Sequence, residues 1–187
     1  MRKKFQIPAL ILLLIGFVVF TASNFSISSP AIDFQKYVGV DKCKTCHKGD
    51  SKGSQYEIWE GSAHANAYKK LETPEADAIA TEKGFETPAV ETPACIKCHV
   101  LGKDIESAEL EDSFDKTQGV QCESCHGPGS EYKKMSIMKD KEQAIANGLL
   151  SPDEAFCKGC HNSDSPTFKE FDYATAWEKI KHPIPSE

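Results

Sequence analysis

Arginine is almost absent from this sequence of 187 residues. Its single occurrence is Arg2, close to the start of the chain. Proteins that hold small oxyanions commonly use the guanidinium group, because its parallel N–H donors match the geometry of the anion. The sequence therefore disfavours an enzyme that reduces a small oxyanion, although lysine side chains could take the place of arginine.

Aromatic residues and strand patterns are also scarce. Aromatics make up 9% of the chain, so the polypeptide alone would form a thin core that large apolar cofactors would have to complete. No stretch of useful length alternates apolar and polar residues, as a half-buried strand would. We therefore predict a mainly α-helical fold with extensive loops, organised around its cofactors.

Basic residues are outnumbered by acidic ones. The formal net charge is −6, and without the three basic residues near the N-terminus the chain has 19 basic and 28 acidic residues, a net charge of −9. This balance disfavours nucleic acid as a partner. It favours redox partner proteins with a basic docking surface, because complementary charge steers their encounter. Plain solubility would explain the same charge.

No cysteine of this chain lies outside one repeated pattern. Each of the eight cysteines belongs to a pair separated by two residues and followed directly by histidine. This C-x-x-C-H pentapeptide is the covalent attachment motif of c-type haem, in which the thiols bond to the vinyl groups and the histidine binds the iron. Motifs 1 to 4 in chain order are Cys43-Cys46-His47, Cys95-Cys98-His99, Cys122-Cys125-His126 and Cys157-Cys160-His161.

Three other uses of paired cysteines fit the pattern less well. A thioredoxin-like motif needs no following histidine and rarely repeats. Zinc sites use paired cysteines, but four pairs that are all followed by histidine would be a coincidence. Structural disulfides need no such spacing. The sequence therefore predicts four covalently bound haem c groups, with the motif histidines as proximal iron ligands.

The remaining histidines limit how the irons are ligated. Only His64 and His182 lie outside the motifs, so at most two irons can have two histidine ligands from this chain. His64 lies among small residues on a helix-like apolar face within residues 56–68, and His182 follows a helix-like stretch over residues 171–181 that Pro183 ends. We predict both as distal ligands. The alternatives are an exposed helical histidine and, for His182, a residue that complements the helix dipole.

For the distal positions of the other two irons, the sequence offers few candidate ligands. Met135 and Met138 follow motif 3 and are candidate ligands, since a thioether can bind haem iron and raise its potential. Methionine at such spacing is more commonly a packing residue. At least one haem is then expected to be open or weakly ligated, and an open iron could bind a small molecule.

Helix signals occur between the motifs. Thr73-Pro74 begins a short helix, with proline in the first helical position. Residues 131–147 read as one helix, and the capping box Ser151–Glu154 begins the helix that leads into motif 4.

The N-terminus has the pattern of an export signal. The basic residues Arg2–Lys4 precede an uncharged apolar run, Ile7–Ala22, which suits a signal peptide or a short membrane anchor. Both place the remainder outside the cytoplasmic membrane, in the periplasm. We predict a signal peptide or anchor over residues 1–25, a linker over 26–36 and a tetrahaem cytochrome c domain over 37–187.

Three segments are similar to a known family. They are residues 119–130 around motif 3, residues 59–65 around His64, and the C-terminal residues 165–183. Together they resemble the tetrahaem cytochrome c-554 family, over roughly residues 37–183. The resemblance implies a compact, mostly helical fold with haems in stacked and perpendicular pairs. It also implies that His64 and His182 are distal ligands and that one haem is open and high-spin.

The resemblance further implies a periplasmic electron carrier, which passes electrons from an oxidoreductase towards membrane carriers. In ammonia oxidisers that donor is hydroxylamine oxidoreductase. This sequence has two spare histidines where three would be expected for three bis-histidine haems. We predict an electron-transfer protein with no catalytic residues of its own. The alternatives are a redox enzyme that acts on a small nitrogen or sulfur compound at an open haem, and a subunit of a larger redox assembly.

Overall fold

The computed structural model describes residues 35–102 and 109–183. The predicted signal peptide or anchor over residues 1–25 lies outside the described residues, as does most of the predicted linker over 26–36. In the part of the chain that is described, no helix is both long enough and apolar enough to cross a membrane.

Short helices dominate the described residues, which contain no β-strand, so the predicted mainly helical fold is confirmed. A π-helical turn, Lys97–Leu101, continues α5, and 3-10 turns lie at Asp50–Lys52, Ala89–Glu91 and Lys116–Gln118. The α-helices are α1 (Val40–His47), α2 (Gln55–Glu60), α3 (Ala67–Leu71), α4 (Pro74–Glu82), α5 (Pro93–Ile96), α6 (Cys122–His126), α7 (Met135–Met138), α8 (Lys141–Ala146), α9 (Glu154–Cys157) and α10 (Tyr173–Ile180).

Helix α4 begins where the sequence predicts, and α10 lies within the predicted stretch 171–181. Thr73 caps α4 by accepting a hydrogen bond from the Ala76 N–H at 3.2 Å, with Pro74 in the first turn. Asp172 caps α10 by accepting from the Thr175 N–H at 2.8 Å. The backbone of Lys181 is extended, so α10 ends just before His182 and its following proline.

The predicted helix around His64 is wrong. Helix α2 ends at Glu60, and His64 lies in the turn that leads to α3. The hydroxyl of Ser62 donates to the Trp59 carbonyl at 2.7 Å, and the Asn66 side chain donates to the Ser62 carbonyl at 3.3 Å. Such local side-chain bonds compete with the helical pattern, and they place His64 at the tip of a turn.

The stretch predicted as one helix over residues 131–147 is two helices. Asp140 separates α7 from α8 and caps α8 by accepting an N–H bond at 3.0 Å. The cap of α9 also differs from the prediction, because Asp153 accepts from the Phe156 N–H at 2.8 Å, whereas Ser151 does not cap the helix.

The apolar core is divided into three small clusters. The first contains Tyr37, Tyr68, Val100 and Leu101, the second Val40, Tyr56 and Trp59, and the third Leu71, Ala80 and Ala89. Cys122 packs against the second cluster and Cys95 against the third, so the clusters adjoin the motifs.

The C-terminal part contributes nothing to this core. Between residues 151 and 183, no described side chain is buried. Phe156, Phe168 and Trp177 are 40%, 39% and 37% exposed, although aromatic side chains of this size are normally covered. The C-terminal segment therefore has apolar surface available for further packing.

Candidate haem-attachment site

Each motif lies at a helix, which brings its two thiols to one side. Helix α1 carries motif 1 and α6 carries motif 3, while α5 and the following π-helical turn carry motif 2. Motif 4 begins at the end of α9. Residues three apart on a helix are neighbours on one face, so the two thiols of each pair can reach the same group.

The eight cysteines are unpaired in this structure, and none is fully buried. Cys46 is exposed, while the other thiols are half-buried. All are therefore free and accessible for covalent attachment of a cofactor.

Motif 1 lies beside motif 3. The neighbouring Cys122 thiol, followed by burial, raises the pKa of Cys43. Close to the same place, burial and then the charge of His126 lower the pKa of His47. The attachment thiols of the two motifs are thus adjacent across the contact between α1 and α6.

Motif 4 connects motif 3 with motif 2. Burial, followed by the nearby Cys157, raises the pKa of Cys125 to about 11. Burial, followed by the nearby Cys98, raises the pKa of Cys160 to about 12. A Cβ atom on Gly102, just after motif 2, would lie 3.5 Å from the Cys160 sulfur. The neighbouring thiols therefore follow the order 1, 3, 4, 2, which differs from the order of the motifs in the chain. Motif 3 also contacts the segment of motif 2, because the Ser124 hydroxyl donates to the Val100 carbonyl at 2.7 Å.

His64 faces the histidine of motif 4. The ring centroids of His64 and His161 are 6.0 Å apart, and the Phe171 ring stacks on that of His161 with a centroid distance of 4.6 Å. Burial, followed by His161, lowers the pKa of His64. The neutral imidazole, which is the form that binds a metal, is thereby favoured.

His182 faces the histidine of motif 3. The ring centroids of His126 and His182 are 5.8 Å apart. The Nδ1 of His126 lies 3.0 Å from the Leu150 carbonyl oxygen. If Nδ1 carries the proton and donates it there, Nε2 is left as the metal-binding atom. The predicted distal candidates thus each meet a different motif histidine.

His47 and His99 have other neighbours. The Nδ1 of His99 lies 2.7 Å from the Ala67 carbonyl oxygen, an arrangement that again leaves Nε2 for a metal. The Gln55 side chain lies next to His47, and its Oε1 is buried without a hydrogen-bond partner in the described structure. The structure describes all six histidines. Four of them form the two facing pairs, and the histidines of motifs 1 and 2 belong to neither pair.

Met135 and Met138 lie at the two ends of α7. Met135 is 65% exposed and Met138 is half-buried. A role for either as a distal ligand stays a prediction.

The residues present fit haem better than a bare metal ion. Two facing imidazoles supply two ligands, and a separation of about 6 Å between ring centres leaves room for two metal–nitrogen bonds of about 2 Å. A cavity of about 300 Å³ beside motif 4 is lined by Cys160, His161 and Phe168. Among the described residues, no three His, Cys, Asp or Glu side chains gather as a metal-ion site.

Two residues at this site were not predicted from the sequence. Phe171 holds the ring of His161 by stacking, and Glu123, inside motif 3, is only 1% exposed. A glutamate between two haem-binding cysteines carries no signal of burial in the sequence. The following Gly127-Pro128-Gly129 turn is the local feature that could have indicated it.

Gly119 sets the position of the His64 turn. Its φ is +75°, and a Cβ atom there would lie 2.5 Å from the His64 carbonyl oxygen, to which the next residue, Val120, donates at 3.0 Å. We expect Gly119→Ala to lower the free energy of unfolding by more than about 1 kcal/mol. Urea unfolding of the holoprotein measures this loss.

Gly84→Ala is the matched control for this substitution. Gly84 has a φ of +84°, but a Cβ atom there would meet nothing within 4 Å. Equal losses of stability in the two variants would show that the contact with His64 is unimportant.

The similarity to known proteins covers motifs 1, 2 and 3. Residues 42–127 match the family model described as cytochrome c554 and c-prime. Cytochrome c-554 from Nitrosomonas europaea is 34% identical over 101 residues, which is 52% of this chain and 40% of the relative. The chain thus spans about two fifths of the length of that curated relative. No solved structure matches the chain significantly.

The matched segment contains motifs 1, 2 and 3 together with His64. Over this segment the chain matches the cytochrome c-554 family, and the resemblance predicted from the sequence is confirmed.

Proposed function

We propose that this chain carries four covalently bound c-type haems and transfers electrons between redox partner proteins outside the cytoplasmic membrane. A cytochrome c holds covalently bound haem iron, and electron transfer is the activity that the family implies. The observation that carries the proposal is the continuous spatial order of the motifs, with facing histidine pairs at the two inner ones.

The chain's own residues would hold and orient each haem. The paired thiols attach it, and the motif histidine binds its iron from one side. Backbone carbonyls of Ala67 and Leu150 orient the histidines of motifs 2 and 3. When bound, each haem supplies an iron that accepts and gives up one electron. The polypeptide contributes spacing, axial ligands and burial, which together set the potentials.

The inner and outer haems would differ in ligation. His64 and His182 are the distal ligands that we propose for the haems of motifs 4 and 3. With His64 and His182 assigned in this way, no histidine of this chain remains for motifs 1 and 2 at the two ends of the series. Met135 or Met138 would serve one of these positions, and at least one would be open.

An acidic surface next to motif 2 fits a basic redox partner. Around α4, six acidic side chains are exposed, and α4 packs through the third core cluster against Cys95 of motif 2. Complementary charge would orient a partner towards this end of the series. The acidic residues are Glu72, Glu75, Asp77, Glu82, Glu86 and Glu91.

The histidine count also favours a second candidate function. An open haem at motif 1 or 2 could bind and convert a small nitrogen or sulfur compound. Steady turnover of nitrite, hydroxylamine or nitric oxide with a simple electron donor would favour this enzyme, whereas its absence leaves electron transfer as the function.

The proposal is tested on the mature holoprotein. We expect the mass and the pyridine haemochrome spectrum to give four haems per chain. Low-temperature EPR of the oxidised protein should show two bis-histidine low-spin haems, with the other irons high-spin or differently ligated. A mass that matches the bare polypeptide would contradict the proposal. Four bis-histidine signals would contradict the ligand assignment.

A further inference from the structure

Glu123 is an acidic side chain in the interior of the molecule. It lies within α6 between the two cysteines of motif 3, and it is 1% exposed. A carboxylate is rarely buried to this extent unless it is paired or fully hydrogen-bonded. Its surroundings therefore show what compensates for the loss of water.

Backbone N–H groups surround the Glu123 carboxyl group. Its Oε1 accepts from the N–H groups of Val38 at 2.9 Å and Gly129 at 2.6 Å. Its Oε2 accepts from those of Val38 at 3.0 Å and Gly39 at 2.7 Å. Both oxygens thus face donors only, and an ionised carboxyl group is the acceptor-only form.

No cation forms an ion pair with Glu123 among the described residues. Lys133 acts on it electrostatically, but the Lys133 ammonium group is 3.5 Å from Glu111 and 36% exposed. Burial raises the pKa of Glu123, and the surrounding N–H groups act in the opposite direction. The donors hold the charge in place without a neutralising partner.

This charge lies between the attachment sites of motifs 1 and 3. Glu123 follows Cys122 in the chain, and its charge acts on the thiol of Cys43 in motif 1. Val38 and Gly39 lead directly into α1, which carries motif 1, and Gly129 lies just after motif 3. The same carboxylate therefore joins the two motifs and is close to both.

We propose that the Glu123 carboxylate is a fixed negative charge that lowers the reduction potentials of the haems held by motifs 1 and 3. Oxidation of a haem iron adds one positive charge, so a nearby buried anion stabilises the oxidised form. Electrons would then enter at motifs 1 and 3 and leave through motifs 4 and 2. This inference rests on the proposed haem series.

The first test compares three variants in a spectroelectrochemical titration. In Glu123→Gln we expect the reduction potentials of the haems at motifs 1 and 3 to rise by about 59 mV. For a one-electron couple, this is roughly a tenfold change in the ratio of reduced to oxidised haem. Glu123→Asp keeps the charge but shortens the side chain, so it should lose stability and keep the lower potential. Glu111→Gln, which removes a carboxylate that is 34% exposed beside the same lysine, should shift little because solvent screens it.

A second measurement needs no change at Glu123. The haems of motifs 3 and 4 would each have two histidine ligands, so their difference in potential reports their surroundings. We expect the EPR signal lost in His182→Ala to titrate, in the unmodified protein, at a lower potential than the signal lost in His64→Ala.

Three results would overturn the inference. They are an unchanged potential in Glu123→Gln with all haems attached, an equal shift in Glu123→Gln and Glu123→Asp, and a higher potential for the motif 3 haem than for the motif 4 haem. Absence of haem from the unmodified protein would instead refute the proposed function.

Discussion

In the His64→Ala variant, one haem of the oxidised holoprotein is expected to change from low spin to high spin, with all haems still attached. The rings of His64 and His161 are 6.0 Å apart, so this substitution would remove one of the two histidines that we propose for a single iron. The thioether bonds at motif 4 do not depend on that ligand. Low-temperature EPR measures the change directly, and added imidazole should restore the low-spin signal.

The matched control for this variant is His182→Ala. Its ring is 5.8 Å from that of His126, so it should remove a different low-spin signal, and the double variant should remove both. If either substitution left the spectrum unchanged, or if both removed the same signal, the pairing of these histidines would be wrong.

Replacement of both Cys122 and Cys125 by serine is expected to remove one haem and to interrupt electron transfer through the protein. The thiols of motif 3 lie next to those of motif 1 and of motif 4. Without the haem of motif 3, the haems of motifs 1 and 4 would have no haem between them to pass electrons. Cys122 also packs against the second core cluster. We expect the free energy of unfolding to fall by more than about 4 kcal/mol, the range that indicates loss of a core component.

Cys95→Ser together with Cys98→Ser is the control, because it also removes one haem but at the end of the series. Mass spectrometry counts the haems, urea unfolding gives the stability, and rapid reduction kinetics follow transfer between those that remain. Transfer from motif 1 to motif 4 should persist in the control. Equal interruption by the two double variants would show that the order 1, 3, 4, 2 is incorrect.

Candidate attachment residues could be named from the sequence because the C-x-x-C-H pattern depends only on short spacing. His64 and His182 were named as distal candidates by counting histidines, and the role of all these residues stays a prediction. Which motif each of them faces was not predictable, since His182 meets a residue more than 50 positions earlier in the chain.

The local structure was predicted in part. Helix α4 begins at its predicted cap, Thr73, and α10, which Asp172 caps, lies within the predicted stretch 171–181. The turn at His64 was missed because its apolar spacing suits a helix, whereas the side-chain bonds of Ser62 and Asn66 favour a turn. Burial of Glu123 depends on N–H groups of Val38 and Gly39, which lie about 85 residues earlier in the chain, a contact that no local pattern reports.

The lack of buried side chains between residues 151 and 183 has a consequence for assembly in the cell. With so little protein to pack against, this segment would gain most of its packing from the porphyrins at motifs 3 and 4. A chain that missed either attachment would keep an open tail with exposed Phe156, Phe168 and Trp177. Proteases cut exposed segments most readily, so incompletely matured molecules would be more sensitive to proteolysis.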